Sequence, residues 1–165
     1  MKPVLSIKSG DDLFISNQML QELMREVLAK GAVFQFRATG WSMTPFIKDG
    51  DVITIAPLTK ERLSPGKVVA YIQPATGHLV VHRVIGRRGA SFLIQGDNTF
   101  SRADELVCPQ DILGCLIRIE RQGRLVRLGL GPERYIIASL SRNGLLLTAM
   151  RRLWALKRLF LNLPG

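Results

Sequence analysis

The stretch ATGWSMTPFIKDGDVITI, residues 38–55, decides how the rest of the chain is read. It sets Trp41, Ser42 and Met43 between Gly40 and a Thr-Pro pair, then turns at Asp49-Gly50-Asp51 into Val52-Ile53-Thr54-Ile55, a run with the β-branched character of a strand. A serine beside Gly and Pro usually serves a turn. Here the turn precedes a strand in a chain whose remaining short runs are also β-like: AVFQFRA, KVVAYIQ, HLVVHRVIG, ASFLIQ, ILGCLIRIE and RLVRLGL. Gly, Pro, Asn and Asp clusters separate them, which predicts a mainly β, antiparallel sheet or barrel. Residues 96–111 make a long connection, and long connections in compact domains often carry function.

Ahead of the β region, SNQMLQELMREVLAKG (16–31) repeats apolar residues at three- and four-residue spacing, with Ser16 placed as an N-cap and Gly31 just past the end. The organisation expected is an N-terminal strand and helix packed on the domain (1–31), a β domain (32–130) and a basic amphipathic helical tail (131–165). At 165 residues the chain fits one core. Cys108 and Cys115, with His78 and His82, supply no disulfide framework and no zinc spacing, so reduced thiols and no metal or other cofactor are expected.

The net charge of +10 is unevenly placed: residues 121–165 hold nine of the 23 Lys and Arg but one of the 13 acids, Glu133. Aromatic residues are not interleaved with these charges as a stacking platform requires, so no nucleic-acid partner is expected. Residues 145–163 set a basic stripe against a broad apolar face, which suits an anionic membrane surface, while packing on the domain is the competing reading. MKPVLSIKSGDDLF lacks the order of a secretory signal, and no apolar run reaches 18 residues. A peripheral membrane or cytoplasmic protein is the expectation.

Ser42, His82, Asp97 and Asp104 are the polar features in this apolar region. Taken together they have the parts of a serine nucleophile system: a hydroxyl, a base and an acid to orient the base. Two-residue alternation puts His78, Val80, His82 and Val84 on one face and Leu79, Val81, Arg83 and Ile85 on the other, so apolar neighbours surround His82.

In order along the chain, GWSMTPFIKDGD (40–51), GKVVAYI (66–72), VVHRVIG (80–86) and GDN (96–98) followed by a further Asp resemble the motif set of type I signal peptidases. The His before Arg-Val resembles the endoplasmic-reticulum and archaeal variant, since bacterial members carry lysine there. The resemblance implies a twisted β fold shared with the SOS repressor autoproteases. It also implies a serine endopeptidase without cofactor that cleaves a polypeptide in extended conformation, with small residues one and three before the cut. It casts Ser42 as nucleophile, His82 as base, Asp104 as orienting acid and Asp97 as support, with Met43 part of the serine box. A hydroxyl residue is common in the family where this chain has Gly40, which leaves the Ser42 N–H, aided by Thr39, to stabilise an oxyanion. An imidazole base predicts an acid limb near its ordinary value of about 6.5. The alternatives are a non-catalytic peptide-binding or membrane-associated adaptor on the same fold and a self-cleaving regulator.

Overall fold

The computed structural model describes residues 4–6, 16–58, 63–98 and 105–161. Helix α1 spans Asn17–Ala29 and begins where Ser16, in extended backbone, accepts a hydrogen bond from the Met19 N–H at 3.2 Å. That contact occupies one of the donors a helix start leaves unpaired. Gly31, at φ +76°, turns the chain out of the helix in a conformation glycine adopts without strain. Met24 and Leu28 are buried, and Leu20, Leu23 and Val27 pack beside them. The apolar stripe of α1 therefore serves the core.

Among the described residues nine strands form one sheet: β1 Val4–Ser6, β2 Val33–Arg37, β3 Val52–Pro57, β4 Val68–Ile72, β5 Leu79–Arg88, β6 Ser91–Gln95, β7 Glu105–Val107, β8 Ile112–Arg121 and β9 Arg124–Val126. Their order is β1-β2-β3-β8-β4-β5-β6-β7, with β9 on β8. The fold is mainly β as expected, and antiparallel at every pairing except β1 with β2. Among the described residues no pairing joins β7 back to β1, so the sheet is open rather than a closed barrel.

Strand β8 is the hub of this sheet. One edge pairs with β3, while the other meets β4 at Ile112–Cys115 and then β9 at Ile119–Arg121. At the hub a Cβ on Gly114 would stand 2.5 Å from the Ala56 carbonyl oxygen and 2.6 Å from Ile55 Cγ2, so this approach requires glycine.

The connection 96–111, read from sequence as one long loop, contains β7 and a 3₁₀ turn at Pro109–Asp111. A three-residue strand is too short for two-residue alternation to reveal, and β7 owes its conformation to pairing with β6.

Two helices follow the sheet, α2 at Arg134–Arg142 and α3 at Leu146–Leu161. Ile137 and Ala138 of α2 are buried, and the Ser141 hydroxyl donates to Gln95 Oε1 at 3.3 Å. Ile137 and Leu146 enclose Phe46, with Leu140 and Met150 beside them. The segment from residue 131 thus opens with a helix fastened to the sheet, and it reaches the loop that carries Ser42. No described helix is long and apolar enough to cross a membrane.

Candidate functional site

Ser42 lies in the loop between β2 and β3, whose two ends are held together like the end of a hairpin. The Ala38 N–H donates to the Asp51 carbonyl at 2.7 Å, and the Gly50 N–H donates to the Ala38 carbonyl at 2.9 Å. Within the loop the Gly40 N–H donates to Asp49 Oδ1 at 2.9 Å, and Gly40 takes φ +91°, which a side chain would strain. Met43, Phe46 and Ile47 are buried, so the apolar half of the turn anchors it. Arg121 adds a clamp through Nε and Nη2 on the Asp51 carboxylate at 2.9 and 2.7 Å and through Nη2 on the Phe46 carbonyl at 3.1 Å. Ser42 itself stays exposed on this braced turn.

His82 comes from the middle of β5, and its Nε2 is 3.0 Å from Ser42 Oγ. The imidazole is half-buried, and burial lowers it from its ordinary value to about 4. That displaces it below the 6.5 expected from sequence, because a desolvated ring resists gaining charge. The neutral imidazole is accordingly the form present near neutrality, with a nitrogen lone pair able to take a hydroxyl proton.

On the far side of the ring, Nδ1 is 3.2 Å from the Tyr71 hydroxyl, and that hydroxyl donates to Glu105 Oε2. The register explains the meeting: His82 stands opposite Val69, so Tyr71, two residues further along β4, is its diagonal neighbour on the same face. Tyr71 is fully buried; burial first, and then Glu105, raise its phenol well above the ordinary value. Neither Tyr71 nor Glu105 stood out in the sequence. Tyr71 sits in the apolar run KVVAYIQ, where an aromatic residue is ordinarily core, and Glu105 lies in the segment read as loop.

Asp97 does not face His82. It is buried against Arg83, whose Nε and Nη2 reach its two carboxylate oxygens at 2.9 and 2.8 Å. Burial raises the Asp97 carboxyl, and the bidentate guanidinium opposes that rise. Arg83 Nη1 also donates to the carbonyls of Gly66 and Gly129 at 2.8 and 2.9 Å, and the guanidinium lies over the Phe46 ring at 5.4 Å. The next residue of the GDN motif, Asn98, binds the serine loop directly: its N–H donates to the Ser42 carbonyl at 2.7 Å and its Nδ2 to the Trp41 carbonyl at 3.2 Å. GDN is therefore a clasp between Arg83 and the Ser42 turn. Asp104 lies outside the described residues.

A cleft of about 460 Å³ opens beside Ser42, between α1, the β2–β3 loop and β5. Thr39 and Gly40 border it, and Leu20, Phe36, Ile53 and Val81 give it an apolar lining. Strand β6 pairs with β5 only from Arg83 onward, so the edge of Leu79–His82 away from β4 has no described strand beside it. The Leu79 N–H on that edge donates to Asn17 Oδ1 at 3.3 Å, and Val81, two residues on, directs its backbone groups the same way. Among the described residues no group of His, Cys, Asp or Glu is placed to hold a metal ion.

Residues 5–114 match the family model described as Peptidase S24-like. A search of curated proteins found no match. The matched span covers well over half of the chain, from β1 through the Ser42 turn and β5 into β8, and on that ground the protein belongs to the Peptidase S24-like family, a family of serine-peptidase type.

Proposed function

We propose that the protein is a serine endopeptidase with a signal-peptidase-like mechanism, in which Ser42 is the nucleophile and His82 the general base. The 3.0 Å separation of Ser42 Oγ from His82 Nε2 carries this reading. In the first step Oγ attacks the scissile carbonyl while Nε2 takes its proton; the imidazolium then returns that proton to the leaving amine, and water repeats the sequence on the acyl-enzyme. The Ser42 backbone N–H is the proposed oxyanion donor, since the Gly40 N–H is already engaged by Asp49. One missing donor of this kind costs about 10²–10³ in rate, so turnover slower than that of a two-donor site is expected.

The open edge at Leu79–Val81 supports a polypeptide docking as an added strand, with its alternate side chains directed into the apolar cleft. Small residues one and three before the cut, which the motif resemblance implies, suit that lining. For location, the proposal is an interfacial role of α3 at an anionic membrane surface. Arg151 and Arg152 are exposed on one side, while Leu146 and Met150 on the other pack on Phe46 and Ile137; Leu153, one turn beyond Met150 on that same apolar face, is exposed.

A fluorophosphonate probe tests the chemistry without a known substrate. Wild-type protein should be labelled at Ser42, and Ser42→Ala should abolish labelling while leaving the melting temperature unchanged. Clean absence of labelling would favour a peptide-binding adaptor. Cleavage of the chain by itself, at a rate independent of protein concentration, would move the reading to a self-cleaving regulator.

A further inference from the structure

The contacts around the His82 ring fix where its proton must sit. As a carboxylate, Glu105 has only lone pairs to offer, so the single hydroxyl proton of Tyr71 goes to it. Tyr71 Oη then presents lone pairs to His82, and the 3.2 Å contact is a hydrogen bond only if Nδ1 carries the imidazole hydrogen. A neutral imidazole has one N–H, which leaves Nε2 bare toward the Ser42 hydroxyl 3.0 Å away. The four groups thus donate in one direction: Ser42 to His82, His82 to Tyr71, Tyr71 to Glu105.

Resting on the Ser42–His82 reading, the geometry points to Tyr71, held by Glu105, as the positioning residue that fixes the tautomer of His82, with the carboxylate acting through a phenol instead of touching the imidazole. Two further observations hold this pair in place. Tyr71 is fully buried, so its hydroxyl needs a protein partner, and Gln73 Nε2, just past the end of β4, approaches the same Glu105 oxygen at 3.4 Å. When His82 takes the Ser42 proton, its positive charge gains a hydrogen-bonded path to the Glu105 carboxylate. A merely structural Tyr71 would satisfy Glu105 equally well but would leave the tautomer of His82 indifferent to its loss.

The test is the ¹⁵N spectrum of the imidazoles in full-length protein near neutral pH, with His82 assigned by its loss in His82→Asn, alongside the rate of Ser42 phosphonylation. Wild-type His82 should be protonated at Nδ1 and bare at Nε2. Tyr71→Phe should shift the ring toward the Nε2–H form and slow phosphonylation by about 10²-fold, the lower end of what a positioned general base contributes. Glu105→Gln, which keeps Tyr71 and its packing, should slow it by about tenfold, and the double variant should be no slower than Tyr71→Phe because the two act as one unit. Should Tyr71→Phe not fold, Glu105→Gln decides by the same two readouts. The inference is overturned by an Nε2–H tautomer in wild type, by an unchanged tautomer and rate in the variants, or by Asp104→Asn shifting the tautomer where Tyr71→Phe does not. Wild-type protein that resists the probe would sink the Ser42–His82 reading alone, since the tautomer spectrum still reports on Tyr71.

Discussion

His82 and Arg83 are consecutive residues of β5, yet alternation sends them to opposite faces and to opposite physical fates. His82 stays half-exposed and neutral, with a hydroxyl on each side of its ring. Arg83 is fully buried and charged, with Asp97 and the carbonyls of Gly66 and Gly129 as its acceptors. One basic side chain faces a hydroxyl with a ring nitrogen; the other is committed to its acceptors. The second also serves the first, because Asn98, next to Asp97, holds the Ser42 carbonyl, and Phe46, under the guanidinium, belongs to the Ser42 turn. A buried ion pair is costly to assemble but more costly to halve, so it locks the scaffold against which a titratable ring can work.

The contrast breaks most sharply at Asp97. Asp97→Ala strands a buried guanidinium and should lower stability by about 3–5 kcal/mol in denaturant unfolding. His82→Ala should cost about 1 kcal/mol or less by the same measurement, while reducing Ser42 phosphonylation by about 10²–10⁴-fold. Equal stability losses at the two positions would erase the distinction.

A smaller effect is expected where Arg121 clamps the serine loop. Burial pushes the Asp51 carboxyl up, but the Arg121 and Lys48 hydrogen bonds more than offset this and hold it below its ordinary value. A carboxyl depressed in the folded state adds stability that is present above its unfolded value of about 3.9 and is lost as pH falls below it. Asp51→Asn should therefore cost about 1.5–3 kcal/mol at neutral pH and flatten the acid side of the stability curve. An acid slope identical to wild type would show that the clamp contributes nothing.

The smallest effect belongs to α3. Full-length protein should sediment with vesicles containing anionic lipid, and salt should weaken that binding. Arg152→Gln should reduce it by about 1 kcal/mol, measured as the vesicle concentration for half-sedimentation. Indifference to anionic lipid would assign α3 wholly to packing against α2.

What the sequence showed and what it concealed follow the same division. The α1 stripe, the Ser16 cap and most strands were legible because each is written locally, in period or in turn residues. Ser42 and His82 stood out as polar residues in apolar surroundings. Arg83 did not, because alternation assigns a face and says nothing of a partner 14 residues away. Asp97, read from its motif as support for the base, turned out to be that partner. Tyr71 and Glu105 were hidden for a related reason: their meeting depends on the β4–β5 register and on the three-residue β7, neither of which leaves a periodic signal. For the basic tail the sequence left a membrane surface and packing on the domain as competing readings, because its charge and apolar face say nothing of a partner; Ile137 and Leu146 pack with Phe46.

Whether His82 serves as the base for Ser42 is tested most directly by the pH dependence of Ser42 phosphonylation. Because burial lowers the imidazole to about 4, the neutral base is present above that value. The rate should rise with pH through about 4, level off before neutrality, and lose this limb in His82→Ala. A rate that climbs only above about pH 9, or a profile that His82→Ala leaves unchanged, would contradict the assignment.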